Sequence, residues 1–195
     1  MTFYDFAKIV VRSVLRTTVR FSVVGAERVP RSGGLIVAAN HISNLDPPIL
    51  GVASPRPLSY MAKKELFALP VLKQLLPRLN AFPVDRAAGG TAAIRASLRM
   101  LKEGRCVGIF PEGGRNVTGT NEEKAGAAFL AAASGVPVVP AAIVGTRRLR
   151  PFGRVTVVFG DPLRVVRNRQ SDGGDLEKGA AEIMQRIRAL EESNR

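Results

Sequence analysis

The chain has 195 residues, 46% of them hydrophobic, which suits one domain with a sizeable core and argues against a disordered chain. Its 29 Lys and Arg outnumber 16 Asp and Glu, and the net charge of +13 points to an anionic partner such as a membrane surface or a phosphorylated small molecule. Nucleic acid is set aside, since there is no tryptophan, few aromatics and no nucleic-acid-binding module; the single cysteine, Cys106, rules out an internal disulfide and fits an intracellular setting.

A helix-like pattern runs from Thr2 to about Phe21. Lys8, Arg12, Arg16 and Arg20 recur every fourth residue and form one cationic stripe, with Phe3, Phe6, Ile9, Val10, Val14 and Leu15 supplying apolar surface beside it. No segment reaches the roughly 20 apolar residues of a membrane span, and the N-terminus lacks an uninterrupted signal-peptide core. A helix of this kind either lies in a membrane interface with its arginines among headgroups or packs on the domain with its charges in water. The first reading is adopted here. Residues 1–22 are expected to dock on an anionic membrane, and 23–195 to form a single domain.

Val23 to Glu27 reads as a short strand, Arg28 to Gly34 as a turn and Leu35 to Ala39 as a buried strand. Asn40 to Leu45 is a loop that opens a helix near Pro47. Leu58 to Met61 is a strand ending at Lys63-Lys64, Val71 to Leu79 a helix, and Ala81 to Val84 a strand ending at Asp85-Arg86. Thr91 to Glu103 is helical and Cys106 to Phe110 a strand. Pro111 to Asn121 is a polar, glycine-rich loop, followed by an alanine-rich helix from Lys124 to Ser134. Val138 to Val144 and Val155 to Phe159 are strands, and Leu176 to Leu190 is a terminal helix after a polar linker. This alternation predicts an α/β domain with a largely parallel central sheet flanked by helices. Ligands bind such sheets outside the carboxyl ends of the strands, which is where the polar clusters fall.

His41 is the only histidine, and Asp46 follows it by five residues. Histidine titrates near neutrality and suits general-base work; a carboxylate beside it fixes the tautomer and stabilises the imidazolium. Asp46 also precedes Pro47 and reads as a helix N-cap, one oxygen capping and the other facing His41. In Phe110-Pro111-Glu112-Gly113-Gly114-Arg115-Asn116 the glycines let backbone N–H groups approach an anion, and Arg115 offers a bidentate fork. Glu112 can orient an arginine or accept a substrate hydroxyl. Cys106 lies in an apolar run where an inert thiol is the default, with a Cys106–His41 nucleophilic pair as a minor alternative. There is no phosphate-loop or dinucleotide fingerprint and no metal-ligand cluster.

Together these clusters resemble the glycerolipid acyltransferases of the 1-acylglycerol-3-phosphate acyltransferase type. Asn40-His41-x-x-x-x-Asp46 is similar to their His-x4-Asp motif, Ala81 to Arg86 to their second motif, Phe110 to Asn116 to their third and Val136 to Pro140 to their fourth. Gly114 and Asn116 replace the usual Thr and Ser of the third motif, and Asn80 stands where glycine is frequent. The resemblance implies acyl transfer from acyl-CoA or acyl carrier protein to the free hydroxyl of 1-acylglycerol-3-phosphate, giving phosphatidic acid at the cytoplasmic face of the membrane. His41 would be the base and Asp46 its orienting carboxylate. Arg86 and Arg115, with Lys63, would hold the acceptor phosphate. Asn40, Ser43, Glu112, Gly113 and Gly114 complete the expected substrate-binding set, with backbone N–H groups near Gly113 offered to the oxyanion. No metal or cofactor is expected beyond the acyl donor itself. The alternatives are another acceptor (glycerol 3-phosphate or a lyso-ornithine lipid), a non-catalytic lipid-binding module, and a Cys106-dependent thioester hydrolase.

Overall fold

In the computed structural model, which describes residues 1–84, 91–116, 124–166 and 174–194, the chain opens with helix α1 (Phe3–Thr18). Thr2 and Asp5 start it with a reciprocal capping box: each side chain accepts the other's backbone N–H. The helix stops at Thr18, short of the expected Phe21, because Val19 turns extended and Arg20–Val24 becomes strand β1. That run is rich in β-branched and aromatic side chains and finds a strand partner, so tertiary pairing overrides the helical pattern. A division at residue 22 therefore falls inside a strand, and α1 is not a detached arm: Leu15 is buried in the domain core.

Besides two short 3-10 helices (Ala26–Arg28, where the expected strand to Glu27 has already ended, and Lys64–Ala68), the remaining described elements are β2 (Leu35–Ala39), α2 (Asp46–Ala53), β3 (Leu58–Lys63), α3 (Pro70–Arg78), β4 (Ala81–Val84), α4 (Thr91–Lys102), β5 (Cys106–Ile109), α5 (Gly126–Ser134), β6 (Val138–Val144), β7 (Arg154–Phe159) and α6 (Gly174–Glu192). The strands form one seven-stranded sheet in the order β1-β7-β6-β2-β5-β3-β4. Strands β6, β2, β5, β3 and β4 run parallel, as the alternation predicts. β7 is antiparallel to β6 and carries β1 with it. Residues 145–153 between them are too few for the crossover of about a dozen residues that a parallel connection needs.

Every residue of β2 is buried, because the sheet is covered on both faces. Leu35, Val37 and Ala39 face the core shared with α1 and α2, whereas Ile36 and Ala38 face α5 and α6. β2 lies between β5 and β6, so its carboxyl end delivers Asn40 and His41 beside the loop that follows β5. Asn80 has φ +59°, a left-handed conformation that asparagine tolerates, which accounts for its standing at a position where glycine is frequent.

Candidate active site

His41 Nδ1 lies 3.1 Å from Asp46 Oδ2. The same oxygen accepts the backbone N–H groups of Ile42 at 2.7 Å and Ser43 at 2.6 Å. Asp46 is fully buried and opens α2, whose N-cap is Leu45. It does not cap its own helix as expected. One carboxylate oxygen gathers three donors and folds loop 41–43 back over the start of the helix. With a carboxylate at Nδ1, Nδ1 carries the proton and Nε2 is left as the base. The Phe110 ring stacks on the imidazole, with centroids 4.4 Å apart, and further restrains its orientation.

The backbone of His41 is held as firmly as its ring. Its N–H donates to Glu112 Oε2 at 2.7 Å, and its C=O accepts from Asn116 N–H at 2.7 Å. The loop after β5 therefore grips the loop after β2 at both polar groups of one residue. Burial raises the Glu112 carboxyl above its ordinary range, and the hydrogen bonds from His41 and Asn116 draw it partly back.

A cavity of about 730 Å³ opens beside the dyad, lined by His41, Gly51, Tyr60, Phe110, Gly113 and Lys124 among others. Its wall is mainly apolar side chains, and α1 contributes Tyr4, Ala7 and Val11. Gly108 leaves room for the Tyr60 ring, which lies nearly parallel to Phe110 at 6.3 Å. Lys8 also faces inward, and its ammonium donates to the C=O of Ser54. Burial, with Arg12 nearby, pushes the Lys8 ammonium below its usual range. The expected stripe is thus divided: Lys8 points to the cavity, Arg12 and Arg16 are exposed, and Arg20 belongs to β1.

A model of the Acyltransferase family matches residues 20–144, from β1 to the end of β6, and so takes in both gripped loops. The chain belongs to the acyltransferase family. This acyltransferase is 35% identical, over 96% of each chain, to the 1-acyl-sn-glycerol-3-phosphate acyltransferase of Bacillus subtilis. It is 29% identical to the enzyme of that name from Streptococcus pneumoniae, over 82% of this chain and 61% of the relative. Its fold is similar to the crystal structure of the 1-acyl-sn-glycerophosphate (LPA) acyltransferase, PlsC, from Thermotoga maritima. The TM-score is 0.74 at 27% identity, covering 98% of this chain and 78% of the other.

The structure brings some of the expected substrate-binding residues of the acyltransferase to the cavity and assigns others different work. Gly113 and Gly114 line it. Asn40 does not: its buried amide donates to Ile143 C=O at 3.0 Å and accepts Ile143 N–H at 2.7 Å, which ties β2 to β6. Ser43 accepts the N–H of Leu45 and serves the loop turn. Glu112 is occupied by His41 and Asn116 rather than turned to an arginine or a substrate hydroxyl. The N–H of Gly113 is bonded to Phe110 C=O, so it is not the donor expected for an oxyanion. Lys63 and Arg115 are exposed and outside the cavity lining, and Arg86 lies outside the described residues.

Sequence reasoning passed over Lys124. Its chain lies across Gly113, where an added Cβ would stand 2.6 Å from Lys124 Cδ and 3.0 Å from its Nζ. Gly113 also has φ +66°, so glycine is favoured there for the turn, and its missing side chain leaves room for the lysine chain. The only signal in the sequence was a single cation at the head of an alanine-rich stretch. Cys106 is 1% exposed at the opposite end of the sheet, in register with Leu35, and burial pushes its thiol to about 11. Six residues of strand and loop separate Leu35 from His41, a distance of about 20 Å at strand rise. A Cys106–His41 pair does not form.

Proposed function

We propose that the protein transfers an acyl group from an acyl thioester, acyl-CoA or acyl carrier protein, to the free hydroxyl of 1-acylglycerol-3-phosphate, producing phosphatidic acid for phospholipid synthesis. The observation that carries this reading is the His41–Asp46 pair set in the wall of a largely apolar cavity with a cation, Lys124, beside it. His41 Nε2 takes the hydroxyl proton as that oxygen attacks the thioester carbonyl carbon. The tetrahedral intermediate collapses with cleavage of the C–S bond, and the imidazolium returns its proton to the departing thiolate. Asp46 holds the ring and stabilises the imidazolium between the two transfers. No acyl-enzyme and no cofactor beyond the donor enter this sequence.

Lys124, with Arg115 and Lys63 beyond the cavity lining and Arg86 as a further cation, supplies charge for the acceptor phosphate. Anchoring the phosphate sets the hydroxyl by His41, and such orientation supplies a large share of a bimolecular rate gain. Among the described residues no helix is long and apolar enough to cross a membrane. The side of α1 away from the sheet carries Phe3, Phe6, Ile9, Val10 and Val14, 41–55% exposed, with Arg12 and Arg16. This amphipathic side docks the enzyme on the cytoplasmic face of an anionic membrane, where lysolipid enters laterally. The test is incubation of purified protein with acyl-CoA and a panel of lysolipid acceptors, with products identified by mass. Product from 1-acylglycerol-3-phosphate supports the reading. Product only from glycerol 3-phosphate or a lyso-ornithine lipid moves it to another acceptor.

A further inference from the structure

Leu149 and Phe152 are 42% and 71% exposed in the turn 145–153 that joins β6 to β7. Arg148, Arg150 and Arg154 flank them in the sequence, all exposed. The sequence has no acidic residue between Glu123 and Asp161, so the turn carries undiluted positive charge. Phe152 has φ +60°, which an aromatic residue adopts only where its surroundings hold it. The hold is visible: Phe152 N–H donates to the C=O of Thr18, the last residue of α1, at 2.7 Å. Arg20 N–H donates to Gly153 C=O at 2.9 Å, and Gly153 N–H to Arg150 C=O at 2.9 Å. The two apolar side chains are therefore presented to solvent on a backbone fastened to the end of α1.

The direction of the turn matters as well. β6 runs parallel to β2, with Ala141 opposite Ala39, and the Asn40 amide is bonded to Ile143. The turn therefore leaves the sheet at the same edge as the His41 loop. An apolar tip flanked by cations, continuous with an amphipathic helix and at the same end of the sheet as the His41 loop, complements a bilayer whose surface is anionic and whose interior is apolar.

We propose that the β6–β7 turn is a second membrane-inserting element. Phe152 and Leu149 enter the interface of an anionic bilayer, and Arg148, Arg150 and Arg154 meet lipid phosphates. The proposal rests on the reading that the enzyme works at a lipid surface, and it is independent of docking through α1. Together, two attachment points would fix the edge that carries His41 against the membrane, which one helix free to roll would not do.

The chain has no tryptophan and two tyrosines, so Phe152→Trp places a single selectively excitable tryptophan at the tip of the full-length protein. Its emission should move to shorter wavelength on adding phosphatidylglycerol vesicles and be quenched by brominated acyl chains, with a much smaller change on phosphatidylcholine vesicles. Leu149→Trp is the second probe should the first variant not fold. In the same background Arg148→Gln and Arg150→Gln should each lower vesicle partition about fivefold at low salt. An unshifted, unquenched tip on a protein that still co-sediments with vesicles overturns the proposal and leaves docking by α1 standing. An inserted tip on a protein whose partition ignores Arg12→Glu plus Arg16→Glu upholds the proposal and removes the role given to α1. A shift that follows protein concentration without lipid assigns the surface to a second copy of the chain and also overturns the proposal. Acyl transfer to a detergent-dispersed acceptor, assayed separately, tests the catalytic reading apart from either contact.

Discussion

Glu112 Oε2 accepts the backbone N–H of His41 at 2.7 Å, so the glycine-rich loop after β5 positions the proposed base by its main chain. Glu112→Ala leaves that half-buried N–H without its acceptor, a cost of about 1 kcal/mol in stability, and frees the His41 loop. Turnover should fall with KM for both substrates little changed. Glu112→Gln keeps an acceptor at the same place and should retain most activity. Thermal melts and steady-state kinetics on the two variants check this; equal loss in both would show that the charge itself is used.

The raised Glu112 carboxyl also predicts a pH dependence of stability. Its folded value lies above its unfolded one, so the folded state holds the proton more tightly. That contribution is complete below the ordinary carboxylate range and is lost as the pH rises through the raised folded value. Glu112→Gln cannot ionise. The Tm of the variant minus that of the natural protein should therefore increase as the pH rises from the ordinary carboxylate range and level off once it passes the raised folded value. A difference that stays flat or decreases would contradict the burial argument.

Asp46→Asn and Asp46→Ala should part company. Three donors converge on one oxygen, so the asparagine carbonyl can take its place and keep both the loop and the tautomer. What asparagine lacks is charge to stabilise the imidazolium, and kcat should fall at least about tenfold with Tm nearly unchanged. Alanine abandons all three donors, and Tm should drop as well. If the two variants melt alike, the loop is held by something other than Asp46.

Much of this was legible because the physics is local. Ala81–Val84 and Val138–Val144 are strands with the bounds their apolar runs suggest, and the spacing of His41 and Asp46 brought the two side chains together. The misreadings came from partners that no sequence pattern displays, some of them remote and one a neighbouring loop. Val19 to Val24 suits helix or strand, and pairing with β7 decided it. Asp46 before Pro47 reads as a cap until the loop N–H groups are seen to claim it. Asn40 reads as a substrate ligand until Ile143, 103 residues away, takes its amide. Lys124 became visible only when Gly113 was seen to make room for it.

Lys124→Ala should raise KM for the phosphorylated acceptor more than for the acyl donor, by about 10- to 100-fold in kcat/KM, the usual worth of a hydrogen bond to a charged group in a cavity. Gly113→Ala should mimic it in part, because the added carbon displaces the lysine chain and strains a left-handed turn. Arg115→Ala should show the same preference for the acceptor. A larger effect on the acyl donor in either cationic variant would place that residue on the phosphates of CoA instead.

Cys106→Ser should leave acyl transfer within about twofold of the natural protein at neutral pH, since the thiol is buried, remote from His41 and far from its reactive form. Some stability should be lost, because the hydroxyl enters an apolar strand. Loss of turnover in a folded Cys106→Ser protein would revive thioester hydrolysis through cysteine.

The central claim is that His41 removes the proton of a lysolipid hydroxyl during acyl transfer. The direct measurement is the initial rate of phosphatidic acid formation from acyl-CoA and 1-acylglycerol-3-phosphate, followed by mass, for the natural protein and for His41→Ala with its fold verified by thermal melting. The account predicts product from the natural protein and a fall of about 10²- to 10⁴-fold in kcat for the variant, the range expected for loss of a general base. A folded His41→Ala protein that forms phosphatidic acid at a near-normal rate would contradict it.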